Sequence, residues 1–245
     1  MRMHLNPFED ITKVDLREIT KESPLKNFEL RKGLFQKEDD HLLSIGFNWE
    51  MQHWETLLEN RLLSIERNFG YALFYYNKGI PDDQWYMSPG KQGQSIQYFP
   101  HFEENHYSNL YNFTYFVDVF FLQSFTVYET IGHLLFKLFD LEDNPRCQVS
   151  FNNAIYKLKK INTPLYKDLN KVKYSDDFQL GMRMRHDIAH NHPPHRIDSG
   201  ISKLKGLIAF GVGKYTTSKE IKNVMIGFLS SIKKTFEVLE KHLQK

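Results

Sequence analysis

The stretch from about Ser108 to Phe139 limits the folds open to this chain more than any other feature. Phe116, Phe120, Phe121, Phe125, Tyr128, Ile131, Leu135 and Leu138 recur there at helical spacing and give a wide apolar face. A helix that is apolar over so much of its surface must be covered by other elements of the protein. A bilayer is not the cover. Asp118, Glu129, His133 and Lys137 interrupt the stretch, whereas a membrane span needs about 20 largely uncharged residues. Asp118 and Glu129 are eleven residues apart, about three turns, and His133 follows Glu129 one turn on. A polar seam therefore runs along an otherwise apolar helix.

The rest of the chain supplies partners for that helix. From Asp39 onward, Leu42, Leu43, Trp54, Leu57, Leu58, Leu62, Ile65 and Phe69 recur mostly at three- and four-residue steps, which predicts a second long helix. Between Asn77 and His106 the breakers Gly79, Pro81, Pro89, Gly90, Gly93 and Pro100 predict a long connection with a short strand pair. A basic amphipathic helix is expected over Phe151 to Leu158, continuing past Pro164. Another starts near Ser175-Asp176-Asp177, where Ser or Asp can cap it, and stops before Pro193-Pro194. Gly200 to Gly213 reads as a β-hairpin or an ordered loop. The closing helix is announced by Thr217-Ser218-Lys219-Glu220, a capping box, and sustained by Ile221, Val224, Met225, Phe228, Leu229, Ile232, Phe236, Leu239 and Leu243. The sum is an all-α protein, an up-and-down helical bundle of four to five main helices with long connections and a small β-hairpin. The connection before His106 marks the expected boundary between an N-terminal extension, residues 1–106, and the bundle proper, residues 107–245.

Charge divides along the chain. Met1 to Pro145 carries 13 basic and 22 acidic residues, a net of −9, and Arg146 to Lys245 carries 19 basic and 8 acidic, a net of +11. The overall charge of +2 hides this asymmetry. A basic surface of that kind suits phosphate, because Lys and Arg release the counterions condensed on a polyanion. The run Lys157, Lys159, Lys160, Lys167, Lys171 and Lys173 reads more simply as a solvated face. The single cysteine, Cys147, forms no intramolecular disulfide, and the Met1-to-Pro7 start shows no apolar stretch of signal-peptide length, so a cytoplasmic protein without a membrane partner is expected.

Two motifs compete for the chemistry. The glycines of Gly206 to Lys214 resemble a phosphate loop only loosely. Ile208 stands where the first glycine should be, and Tyr215 where Ser or Thr should meet magnesium. The segment from Arg183 to Arg196 is the informative one, gathering four of the eleven histidines and three arginines in 14 residues. His186-Asp187-Ile188-Ala189-His190 could make a zinc-dependent hydrolase, since histidines at i and i+4 meet on one helical face. However, Asp is one methylene shorter than the Glu such a motif needs as general base. Pro193 also ends the helix before a third ligand at any recognised spacing, leaving His195 or a distant residue.

A better account takes Arg185 and His190, with four residues between them and His186 at the polar position. This arrangement resembles the motif of the HEPN superfamily, an arginine and a histidine separated by about four to six residues on a helix of a basic bundle. The resemblance covers about Tyr107 to the C-terminus. It implies a metal-independent endoribonuclease, toxin-like or defence-related, without cofactor, in which the ribose 2′-hydroxyl attacks the adjacent phosphorus. Arg185 would stabilise the phosphorane and His190 would move the proton. His186, Asp187, Asn191, Glu129 and His133 would support them, and Arg183, His192, His195 and Arg196 would bind substrate. The alternative within the family is a catalytically silent module that binds RNA, nucleotide or a protein. Five residues at about 100° each set Arg185 and His190 roughly 140° apart on an ideal helix, which suggests that a homodimer completes the site. RNA is the expected partner, and a toxin-like role leaves room for an antitoxin protein.

Overall fold

Side-chain caps set the starts of several helices and divide the middle of the chain into separate pieces. Ser150 Oγ accepts from Asn153 N–H at 3.2 Å, Asn162 Oδ1 from Leu165 N–H at 3.2 Å, and Ser175 Oγ from Phe178 N–H at 3.4 Å. A computed structural model describes residues 15–37, 42–142, 148–197, 201–204, 206–210 and 214–243. The expectations for Met1 to Pro7, for a helix start at Asp39, and for Cys147, Gly211 and Gly213 lie outside the described residues.

The elements run in the order α1 (Leu16–Ile19), α2 (Leu42–Asn77), β1 (Tyr86–Met87), β2 (Gln97–Tyr98), α3 (Glu104–Leu138), α4 (Phe151–Ile161), α5 (Thr163–Lys173), α6 (Asp176–His190), β3 (Ile201–Leu204), β4 (Leu207–Phe210) and α7 (Ser218–Leu243). With most of the described residues helical and strands confined to two-stranded pairs, the protein is an all-α helical bundle. The helix expected to run past Pro164 is broken at Asn162, which ends α4 and caps α5, with Pro164 in the first turn of α5. The basic segment after Gly200 is a hairpin in antiparallel register, Ile201 opposite Phe210 and Leu204 opposite Leu207. Gly206 takes φ +85° in its turn, a conformation open to glycine without strain.

The chain divides into two compact units. Of the described residues, the first comprises 15–22, 67–121, 183–197, 201–204, 206–210 and 214–226. Its core holds Phe69, Leu73 and Tyr75 from α2, Phe113, Val117 and Phe120 from α3, and Ile221 and Met225 from α7, all buried. Asp82, in the loop after α2, is buried and accepts from Tyr215 Oη, Ser218 N–H and Ser218 Oγ, each at 2.8 Å. That carboxylate fixes the start of α7, and the expected capping box adds to it, Glu220 Oε2 accepting from Thr217 N–H at 2.8 Å.

Of the described residues, the second unit comprises 23–37, 42–66, 122–142, 148–182 and 227–243. Tyr128 is its centre. The ring lies 4.9 Å from Phe151, 5.0 Å from Phe178 and 5.6 Å from Phe228, and its hydroxyl is 2.7 Å from Ser231 Oγ. Burial drives the Tyr128 phenol far above its ordinary range, so it stays protonated and serves as a core hydrogen-bonding group. Most of the lysines on α4 and α5 are exposed, the solvated face expected of them. Among the described residues no helix is long and apolar enough to cross a membrane.

Candidate functional site

The Arg–His motif occupies the last two turns of α6. Asp176 and Asp177 favour the positive end of that helix, and the helix stops at His190, ahead of Pro193-Pro194. Met184 is buried and anchors this part of α6, whereas Arg183, His186 and His190 are exposed and Arg185 is half-buried.

Arg185 Nη1 donates to His190 Nε2 at 3.3 Å. The bond forms within one helix, although the wheel angle suggested that a second copy would be needed to complete the site. A helical wheel separates the Cα positions by roughly 140°, but the long arginine side chain closes that angle through its own torsions. A guanidinium carries donors only, so His190 Nε2 is the acceptor of this bond. The pair thus presents a guanidinium beside an imidazole at the surface.

The neighbouring predicted residues fall into three groups. His186 stays with the motif, its ring 5.2 Å from that of His190 and tilted by 53°. Asp187 turns to Asn191 instead of either motif residue: Oδ1 accepts from Asn191 Nδ2 at 2.8 Å, and the Asp187 carbonyl accepts from Asn191 N–H at 3.0 Å. Together they close the helix end. Glu129 and His133 belong to the second unit. There His133 stacks on Trp54 at 4.9 Å and 13°, and Glu129 acts electrostatically on Arg61, which donates to the Thr126 carbonyl at 2.8 Å and bonds the Thr130 hydroxyl. Burial, followed by Lys137 and Arg61, lowers the pKa of His133.

The residues after α6 also diverge. Arg183, His192 and Arg196 are exposed, but His195 retains only 5% of its surface and is directed at α3, with Nε2 3.4 Å from Asp118 Oδ1. Burial lowers the pKa of His195 to about 4, with Arg196 and His192 adding repulsion, and burial raises that of Asp118 to about 6 against the opposing pull of Arg196. Near neutral pH the contact therefore joins a carboxylate to a neutral imidazole and is not an ion pair.

Tyr107, Leu110, Tyr111, Thr114 and Tyr115 of α3 complete, with Asp118, His195 and Arg196, a cleft of about 420 Å³. The tyrosines were not singled out from the sequence. Their recurrence every four residues, ending one turn before Asp118, was the available signal. Among the described residues no group of three or more His, Cys, Asp and Glu side chains is placed to hold a metal ion.

The model of the Cthe2314-like HEPN family matches residues 54–241, taking in part of α2 as well as the helices on which the resemblance was read. No curated protein and no solved structure matches the chain. HEPN domains form a family of nuclease and RNA-binding modules, and they commonly dimerise. With a match over more than half of its length, and an Arg–His pair joined at the end of α6, the chain belongs to the Cthe2314-like HEPN family.

Proposed function

We propose that this protein is a metal-independent endoribonuclease of the toxin-like or defence-related kind, acting through Arg185 and His190. The observation that carries the reading is the 3.3 Å hydrogen bond between them at the exposed end of α6. Once Arg185 turns from His190 to the phosphate, the imidazole is free to take the proton of a ribose 2′-hydroxyl, a transfer imidazoles make near neutral pH. Arg185 offers a planar fork to the two non-bridging phosphate oxygens as charge builds on the phosphorane.

In the step itself the 2′-oxygen bonds to phosphorus, the 2′-proton passes to His190, and the bond from phosphorus to the 5′-oxygen breaks. The leaving 5′-oxygen takes up a proton from the imidazolium or from water. The products are a 2′,3′-cyclic phosphate and a 5′-hydroxyl. Arg183 and His192, exposed beside the pair, would hold flanking phosphates. Two copies associate, as HEPN domains commonly do, each bringing its own Arg–His pair.

RNA whose riboses are all 2′-O-methylated tests the reaction class. The account expects it to bind and stay intact while unmodified RNA of the same sequence is cut to cyclic-phosphate ends. Cleavage of the methylated strand would overturn the 2′-hydroxyl mechanism. The catalytically silent alternative draws on the tyrosine-lined cleft, which is a binding feature with no need of a reaction.

A further inference from the structure

Beside the motif, α3 and the segment after α6 build a second feature in the same unit. Tyr107, Tyr111 and Tyr115 stand at four-residue steps and so form a stripe along α3, with Asp118 continuing it. Tyr111 and Tyr115 are each 47% exposed, high for aromatic rings on a helix whose other face is core. At its end the stripe meets Asp118, His195 and Arg196 around a cleft of about 420 Å³, within the range of small-ligand sites, about 300–1,000 Å³.

Two buried atoms there make no close hydrogen bond among the described residues: Asp118 Oδ1, held 3.4 Å from His195 Nε2, and His195 Nδ1. The His195 side chain is only 2% exposed. Buried polar atoms are nearly always satisfied, so this pair at the wall of the cleft has hydrogen-bonding capacity to spare. Asp118 keeps 30% of its side-chain surface and lines the cleft, as does the exposed Arg196. An aromatic stripe, a carboxylate acceptor and a cation in one cleft match a nucleotide unit, with its flat base, amino group and phosphate. His195 lies five residues after His190, at most about 18 Å of chain, so a strand held at the motif can reach the cleft.

We propose that this cleft is a base-binding subsite for single-stranded RNA. A base seats against Tyr111 and Tyr115 and donates from its exocyclic amino group to the Asp118 carboxylate, while Arg196 meets the adjoining phosphate. Uracil has no such amino group, and its one N–H on that edge lies between two carbonyl oxygens that a carboxylate repels. The subsite therefore selects cytosine, adenine or guanine over uracil next to the cut. This inference rests on the reading of the protein as one that acts on RNA, and it extends that reading to sequence preference.

The test uses the full chain and short 2′-O-methylated homopolymers of C, A and U, followed by fluorescence anisotropy. The wild-type protein is expected to bind the C and A strands about tenfold more tightly than U, the worth of one good base contact. Asp118→Asn is expected to bring the three affinities within about twofold of one another. Tyr111→Ala, at an exposed position that leaves the core intact, is expected to weaken C and A strands at least about fivefold, the effect of a lost stacking partner.

Equal wild-type affinity for C, A and U would overturn the proposal, as would unchanged RNA binding in Tyr111→Ala. The same holds if the tyrosine face proves to bind a protein partner and RNA binds as well without it. Cleavage of unmodified RNA with no base preference would remove the subsite and leave the catalytic reading standing. Base-selective binding without any cleavage would do the reverse.

Discussion

His195 and Asp118 meet at 3.4 Å with their proton affinities moved in opposite directions, His195 down to about 4 and Asp118 up to about 6. Between pH 4 and 6.5 the unfolded chain protonates the histidine and the folded one does not, so this group costs stability as pH falls. Between pH 3.8 and 6 the folded chain protonates Asp118 and the unfolded one does not, so this group adds stability as pH falls. The two largely offset each other in the wild type.

Thermal melts from pH 4 to 6.5 should therefore separate the pair. Relative to wild type, Asp118→Asn leaves the histidine unopposed and is expected to lose melting temperature progressively toward pH 4. His195→Gln leaves the carboxyl group unopposed and is expected to gain in relative terms over the same range. Parallel curves for both variants would show that the two groups keep ordinary proton affinities.

Packing in the second unit predicts a contrast between two glycines. A Cβ at Gly181 would overlap the ring of Phe228, itself packed against Tyr128, so Gly181→Ala is expected to cost about 1–3 kcal/mol. Gly46 sits exposed within α2 with nothing within 4 Å of such a Cβ, and Gly46→Ala is expected to stabilise by about 0.5–1 kcal/mol. Urea denaturation of the two variants gives both signs in one experiment.

Much of this was legible in the sequence because the signals are local. The Thr217 to Glu220 capping box, the 3.6-residue recurrence in α7 and the breakers after Asn77 each act within a few residues. The Arg185 and His190 motif was readable for the same reason. What escaped is of two kinds. The joining of Asp118 to His195 links α3 to the segment after α6, and the polar seam on α3 shows only that Asp118 needs a partner, not which one. The convergence of Arg185 on His190 was missed because angular reasoning locates Cα atoms, while a guanidinium sits several bonds away. The α4 break at Asn162 follows from a cap and a proline in the first turn, where proline is tolerated, so Pro164 began a helix where continuation was expected.

The Arg–His pair within one chain makes a prediction about mixed dimers. If each site takes both residues from one chain, then mixing Arg185→Ala with His190→Ala protein leaves every site defective. The account expects the mixture to be as inactive as either variant alone. Recovered activity, approaching the single intact site a mixed dimer would hold, would show that arginine and histidine come from different copies.

The central claim is that Arg185 and His190 cut RNA without a metal ion. Cleavage of single-stranded RNA in excess EDTA, by wild type and by Arg185→Ala and His190→Ala, tests it most directly. The account predicts cleavage that survives the chelator, with each variant slower by about 10²–10⁴-fold, the range for losing a proton-transfer or charge-stabilising group. Variants that cut at the wild-type rate, or wild-type cleavage that stops in EDTA, would contradict it.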